Sequence, residues 1–129
     1  AMLPAGAGAI VNIGSVAGLI GIPASNAYGP SKAALAHLTR SLACEWARRG
    51  IRVNCIAPGY IDTGMARGLF GTGGSLQRKA IERVPMARLG EPSEIASVAL
   101  FLCSPLSSFI TGAVIPVDGG WSAFGGPSR

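Results

Sequence analysis

The sequence contains very few of the residues that hold metal ions through nitrogen or sulfur. It has one histidine, His37, and three cysteines, none of them in a C-x-x-C pair. A structural zinc site needs four ligands, usually in close pairs, so we predict no metal site. We expect His37 to be a surface or interface side chain rather than a catalytic base. The thiols of Cys44, Cys55 and Cys103 are expected to be small buried groups in the reducing cytoplasm.

Charged residues are absent from the first 31 positions, and the first is Lys32. Prolines, asparagines and six glycines interrupt this stretch, so it contains no run of about 20 predominantly apolar residues that could cross a membrane. It also lacks the basic start of a signal peptide. We therefore predict buried strand and loop here, with no membrane partner.

The remainder of the chain is basic, with 11 lysines and arginines against 6 acidic residues. The basic residues cluster at 40–52 and 67–88 with acidic residues between them, and they lack the dense, aromatic-rich stripe typical of a nucleic-acid surface. We interpret most of them as solvated helix faces and predict no nucleic-acid partner. A basic nucleic-acid module is the least favoured alternative, and a few arginines could attract an anionic substrate or a cofactor phosphate.

The pattern of apolar residues predicts an α/β chain. Short apolar runs predict three strands, at 9–14, 51–57 and 113–117. Helices are predicted at 26–49, 75–84 and 92–103. This alternation indicates a parallel sheet with crossover helices, a partial doubly wound fold of three strands. The glycine-rich stretch 64–74 suits a mobile loop or lid.

Tyr28 and Lys32 stand four residues apart at the start of a predicted helix, so both side chains lie on one helix face. Free tyrosine titrates near pH 10, too high for efficient proton transfer at neutral pH. A neighbouring ammonium group favours the phenolate and lowers the pKa, so the pair can form a general acid–base. Taken alone, the spacing is more typical of an exposed helix pair.

Polar groups follow the first two predicted strands at their carboxyl ends, where open parallel sheets bind ligands. Ser15 follows the first strand, where its hydroxyl can bond a substrate oxygen. An acyl nucleophile is less favoured, because Ile13 and Ala17 stand where a nucleophile elbow has glycines. Residues 58–63 follow the second strand and could hold an amide or phosphate through backbone groups and Thr63, although an ordinary turn fits them as well.

The chain contains four motifs in this order: Ser15, Tyr28-x-x-x-Lys32, Pro58-Gly59-x-Ile61-x-Thr63 and Val117-Asp118-Gly119-Gly120. Together they resemble the short-chain dehydrogenase/reductase family over residues 8–120, of the type that includes 3-oxoacyl carrier-protein reductases and polyol dehydrogenases. The resemblance implies a Rossmann-like fold and an NAD- or NADP-dependent oxidoreductase that interconverts a ketone and a secondary alcohol.

The resemblance also implies roles for individual residues. Tyr28 would be the proton donor and acceptor, Lys32 would lower its pKa and hold the nicotinamide ribose, and Ser15 would orient the small-molecule substrate's carbonyl or alcohol. The cofactor would also contact Pro58, Gly59, Ile61 and Thr63. Residues 64–82 would form a substrate lid, and the helix that starts at Tyr28 would pack against another subunit in a homo-oligomer, a dimer or tetramer.

The chain departs from the family in its cofactor half. Family members are roughly twice as long and begin with a βα unit that carries a phosphate-binding G-x-G-x-x-G loop. Gly6-Ala7-Gly8 continues to Val11 and Gly71-Thr72-Gly73 continues to Leu76, so neither qualifies. The family's Asn-Asn-Ala-Gly motif, its catalytic asparagine and the residue that selects NAD or NADP are also missing.

We therefore expect residues 1–129 to be the carboxyl-terminal catalytic portion of such an oxidoreductase, without the amino-terminal dinucleotide phosphate-binding portion that activity requires. The alternative is a truncated, non-catalytic relative that serves as an interaction or oligomerisation module. In either case the strand at 9–14 has an unpaired edge, which another chain or segment should cover.

Overall fold

The computed structural model describes residues 1–71 and 73–124. The strands are β1 (Gly8–Ile13), β2 (Ile51–Pro58) and β3 (Val114–Val117). The helices are α1 (Met2–Ala5), α2 (Tyr28–Trp46), α3 (Gly64–Phe70), α4 (Ser75–Glu82) and α5 (Pro92–Cys103). Short 3₁₀ turns occur at Val16–Gly18, Ala47–Arg49, Pro105–Ser107 and Trp121–Ala123.

The three strands form one parallel sheet in the order β1-β2-β3. The predicted α/β class and three-stranded parallel sheet are confirmed, with strand ends within one residue of those predicted. The central strand β2 is the most deeply buried, since Val53, Cys55 and Ile56 have no exposed surface. Helix α2 packs on β2, and α5 contacts both β1 and β2.

Helix α2 begins at Tyr28 and ends in the turn Ala47–Arg49, close to the predicted limits. Its buried face is built from small residues, among them Ala36, Thr39 and Ala43, which let the helix approach the sheet closely. Ala43 packs with Ile51 and Val53 of β2 in one core cluster. Gly50 ends the turn with φ of 72°, a left-handed conformation that glycine adopts without strain.

The prediction of a continuous loop over 64–74 is wrong for its first part, because residues 64–70 form α3. The side chain of Thr63 caps this helix by accepting a hydrogen bond from the Ala66 N–H at 3.2 Å. Gly71 and Gly73 follow with positive φ, which breaks the helix before α4. Thr72 lies outside the described residues. The predicted lid therefore contains two short helices, with glycines between them.

The expectation that all three thiols are buried is also wrong. Cys55 is buried in β2, and burial raises the pKa of its thiol. Cys44 on α2 and Cys103 at the end of α5 are exposed. Cysteine is apolar enough for a core position, but its position on a helix face decides whether it reaches one. His37 is exposed on α2, as predicted.

Within the described residues, β1 pairs only with β2, so its other edge is free. All six of its residues are partly or largely exposed, although four of them are apolar. No helix among the described residues has the length and apolarity that a membrane crossing needs.

Candidate active site

All seven residues predicted for the site line one cavity of about 840 Å³ at the carboxyl ends of β1 and β2. They are Ser15, Tyr28, Lys32, Pro58, Gly59, Ile61 and Thr63. Apolar side chains form much of the remaining wall, including Val16, Ile22, Ile95 and Trp121. The volume lies within the range of about 300–1,000 Å³ that is typical of small-molecule sites.

Ser15 is held where β1 ends and the turn Val16–Gly18 begins. Its Oγ accepts a hydrogen bond from the Ala17 N–H at 3.1 Å, so the side chain caps this turn. A serine hydroxyl can accept and donate at the same time, and the Ser15 hydrogen can therefore still be donated to a ligand.

Tyr28 is the first residue of α2, and 53% of it is exposed towards the cavity opening and solvent. The Lys32 Nζ lies 5.6 Å from the centre of the Tyr28 ring, so the predicted pair does share one face. The same Nζ donates a hydrogen bond to the Ile13 carbonyl at 3.0 Å. Lys32 thus ties the start of α2 to the end of β1, beside Ser15.

Two glycines bring Ser15 and the Tyr28–Lys32 pair together. A Cβ added to Gly18 would lie 2.6 Å from the Lys32 carbonyl carbon and 2.7 Å from the Ala33 nitrogen. A Cβ added to Gly29 would lie 3.0 Å from the Ala17 carbonyl oxygen. The turn after β1 therefore rests directly on the backbone of α2. Neither glycine was predicted to position the site, although Gly29 inside the first turn of a helix was a usable signal.

Residues 58–63 form the opposite wall. The Gly59 N–H donates to the Val117 carbonyl at 3.0 Å, and a Cβ at Gly59 would lie 2.7 Å from the Asp118 Cβ. Ile61 forms an isolated parallel bridge with Gly90. These contacts fix the backbone of the segment. At the end of the segment, the hydroxyl of Thr63 caps the start of α3.

Asp118 organises the segment after β3. Its carboxylate accepts hydrogen bonds from the N–H groups of Gly120 at 2.9 Å and Ser122 at 2.8 Å. Burial alone would raise the pKa of Asp118, but hydrogen bonds from Ser122, Gly120 and Trp121 outweigh it and leave the pKa below its usual value. The Asp-Gly-Gly motif is therefore a cap that holds the turn carrying Trp121 against the cavity.

Trp121 is a wall residue that sequence analysis missed. It is 6% exposed and packs with Val16 and Val84 in one core cluster. Its ring centre lies 5.2 Å from that of Tyr60, and the Arg83 guanidinium lies 5.8 Å above it. Its position depends on contacts with segments far away in the sequence, for which no local pattern gives a signal.

A family model described as "Enoyl-(Acyl carrier protein) reductase" matches residues 1–122, nearly the whole chain. The chain belongs to the short-chain dehydrogenase/reductase family. The sequence resemblance is thereby confirmed, and the match includes each of the four motifs on which it was based.

Relatives in this family share much of the sequence. A tropinone reductase homologue from Arabidopsis thaliana is 48% identical over 125 residues, which cover 93% of this chain and 45% of the relative. A protein from Xanthobacter autotrophicus named "Inactive 2-(S)-hydroxypropyl-CoM dehydrogenase 2" is 46% identical over 125 residues, covering 95% of this chain and 54% of the relative.

Solved structures of the short-chain dehydrogenase/reductase type share the fold. A gluconate 5-dehydrogenase from Burkholderia cenocepacia, in complex with NADP and tartrate, superposes with a TM-score of 0.90 at 33% identity. The match covers 95% of this chain and 48% of that one. The chain thus spans about half the length of the relatives and structures it matches.

Proposed function

We propose that this chain is the catalytic portion of an NAD- or NADP-dependent oxidoreductase that interconverts a ketone and a secondary alcohol. The observation that carries the proposal is the convergence of Ser15, Tyr28 and Lys32 on one cavity whose opposite wall is the 58–63 segment. A proton donor, a cation and a second hydroxyl are the groups that such a reaction requires around one carbonyl oxygen.

The substrate oxygen would lie between the hydroxyl groups of Ser15 and Tyr28. Ser15 donates a hydrogen bond that fixes the oxygen and stabilises the negative charge that develops on it during reduction. Tyr28 gives its proton to the same oxygen, and in the oxidation direction it takes the proton from the alcohol. The Lys32 ammonium, 5.6 Å from the ring centre, offsets the phenolate charge once the proton has left.

The residues present fit the nicotinamide end of a dinucleotide cofactor. Gly59, Ile61 and Thr63 line the cavity on a backbone held by β3 and Gly90. Lys32 would bind the ribose as well. A bound nicotinamide supplies or accepts the hydride at the carbon atom, and the chain's residues handle the proton.

The phosphate end of the cofactor requires residues beyond this chain. No G-x-G-x-x-G sequence occurs, and the relatives are about twice as long. We propose that an amino-terminal portion covers the free edge of β1 and completes the cofactor site. The partly or largely exposed apolar residues of β1, among them Ile10, Val11 and Ile13, are what a neighbouring strand would bury further.

The test is Tyr28→Phe in the complete protein. We expect turnover to be abolished and cofactor affinity to be largely retained, because only the transferable proton is removed. Tyr60→Phe makes the same chemical change at the other tyrosine and should lower kcat far less. Near-normal turnover of Tyr28→Phe would overturn the assignment.

A non-catalytic role is the second candidate, because a relative 46% identical to this chain is named inactive and the phosphate loop is missing. The intact mass and reading frame of the natural protein distinguish the two, since catalysis needs about a hundred further residues before Ala1. Tight dinucleotide binding by the 129-residue chain alone, measured by calorimetry, would contradict the proposed dependence on that portion.

We further propose a cytoplasmic homo-oligomer whose substrate is a small carbonyl or alcohol, with no nucleic-acid partner. Helix α2 exposes Ala33, Ala34 and Leu38, a small and apolar surface suited to close helix packing with a second copy. Light scattering of the complete protein, with Leu38→Glu as the disrupting variant, tests the oligomer. A salt-dependent mobility shift with duplex DNA would contradict the absence of a nucleic-acid partner.

A further inference from the structure

We propose that the indole N–H of Trp121 donates a hydrogen bond to a second oxygen of the substrate, remote from the reacting carbonyl. The chain would then act on oxo or hydroxy compounds that carry an additional acceptor, a carboxylate in preference to a hydroxyl. The inference rests on the proposed function, because it assigns the substrate class of the same cavity.

The indole nitrogen of Trp121 is a buried donor without a partner. Among the side chains that the structure describes, its Nε1 is the only buried nitrogen or oxygen that forms no hydrogen bond. A buried donor left unsatisfied costs about 1–3 kcal/mol, so tryptophans in cores usually have an acceptor for it. Phenylalanine would supply an aromatic ring here without that unsatisfied donor. The nitrogen is therefore explained best by an acceptor that arrives with a ligand.

Trp121 reaches the cavity from a different element than the reacting groups. Trp121 lines the same cavity as Ser15 and Tyr28, but it belongs to the turn after β3. Its core cluster contains Val84, which follows α4, as well as Val16, the residue after Ser15. A ligand whose carbonyl meets Ser15 and Tyr28 could therefore present another group to Trp121, across a wall that is mainly apolar.

The Arg83 cation beside the Trp121 ring favours an anionic acceptor, and it acts against the Asp118 carboxylate, which accepts a hydrogen bond from the Trp121 backbone N–H. Arg83 lies 5.8 Å above the indole ring and forms no salt bridge within residues 1–71 and 73–124. A cation over the ring draws electron density towards it and makes the N–H a stronger donor. It also attracts a negative group bound at the ring edge, so a carboxylate gains more here than a neutral hydroxyl.

An acceptor reaches Nε1 only if part of the wall moves, because solvent does not contact this nitrogen. The wall element best suited to move is α3, which contributes Met65 and Ala66 to the cavity. It begins at Gly64 and is followed by Gly71, and 85% of Met65 is exposed. Binding of the remote oxygen would thus require a displacement in the cavity wall.

The test is an NMR titration of the ¹⁵N-labelled, ¹³C-methyl-labelled 129-residue chain. Trp46→Phe leaves the Trp121 indole as the single indole signal, because the chain has two tryptophans. The probes are 4-oxopentanoate and 5-methylhexan-2-one, which share the ketone and differ in whether a carboxylate or an isopropyl group ends the chain. The methyl signals of Val16 and Ile95 report entry of either compound into the cavity.

We expect both probes to shift the Val16 and Ile95 signals, and only 4-oxopentanoate to move the Trp121 indole proton downfield in a saturable way. Trp121→Phe keeps an aromatic ring and should weaken binding of 4-oxopentanoate about ten-fold, as expected for a charge-assisted hydrogen bond, without affecting the ketone. Arg83→Gln should weaken it less and should reduce the indole shift. If Trp121→Phe does not fold, the comparison of the two probes and Arg83→Gln still decides the question.

Equal indole shifts with both probes, an unchanged affinity in Trp121→Phe, or no shift of any cavity signal would each overturn the inference. The indole readout needs neither cofactor nor turnover, so it is independent of the test by Tyr28→Phe activity. An active Tyr28→Phe enzyme would refute the catalytic proposal while the indole shift stands, and an absent indole shift would leave the catalytic proposal intact.

Discussion

Replacing Gly18 with alanine tests whether close contact between the turn and α2 sets the geometry of the site. The added Cβ would lie 2.6 Å from the Lys32 carbonyl carbon and 2.9 Å from its oxygen. Carbon atoms pack at about 3.5–4.0 Å, so the two segments must separate by about 1 Å. The contacted atoms belong to the backbone of α2, which cannot yield as a flexible side chain would, and the turn that Ser15 caps must therefore move.

Two effects of Gly18→Ala should follow, each with its own magnitude. Overpacking of this kind lowers the free energy of unfolding by about 1–3 kcal/mol, measurable by urea denaturation of the chain. Displacing Ser15 from Tyr28 by about 1 Å should lower kcat in the complete protein by about 100-fold. The matched control is Gly21→Ala, because a Cβ there meets no atom within 4 Å and the backbone is not left-handed. If Gly18→Ala matches this control in both stability and kcat, the positioning argument is refuted.

Two further predictions concern stability and are measured by urea denaturation. A hydrogen bond from Arg88, followed by one from the Glu91 N–H, lowers the pKa of Glu94 to about 2. The stabilising contribution of Glu94 is therefore present above the unfolded carboxyl pKa of about 4.3 and is lost as the pH falls towards 2. The difference in unfolding free energy between the native chain and Glu94→Gln should shrink across that window. A constant difference would contradict the pairing of Glu94 with Arg88. Thr39→Val should lower the free energy of unfolding by about 1–3 kcal/mol at any pH, because the buried Thr39 hydroxyl accepts a hydrogen bond from Asn12 Nδ2 at 2.9 Å and its loss leaves that amide without this partner. Thr39→Ser keeps the hydroxyl and should retain most of the stability. Equal losses in both variants would rule out the hydrogen bond as the cause.

The strands and α2 were predictable because their signals are local. The apolar runs of β1 and β2, and the spacing of Leu35, Leu38 and Leu42 on α2, depend only on neighbouring residues. Helix α3 was missed because its glycines suggested a loop, while the capping hydroxyl of Thr63 was considered only as a ligand group. A threonine hydroxyl can cap a helix or bind a ligand, and the local sequence does not decide between these two roles.

The residues that position the site were less predictable than those proposed to react. Tyr28 and Lys32 share a helix face, so their spacing alone places them together. The contact of Gly18 with Lys32, and that of Gly59 with Asp118, joins segments 14 and 59 residues apart. Such contacts depend on how elements pack, and a glycine in the sequence does not reveal which backbone will approach it.

Both the proposed catalytic portion and the proposed cofactor-binding portion depend on strand β1. Its end carries Ser15, and its Ile13 carbonyl accepts the hydrogen bond that holds Lys32. The same strand has the free edge that we propose an amino-terminal portion to cover. A strand added there would lie beside the Ile13 carbonyl that anchors Lys32. The proposed partner segment would therefore do more than bind phosphate, because it would also border the lysine beside Tyr28. This links completion of the cofactor site to the geometry of proton transfer through one edge of the sheet.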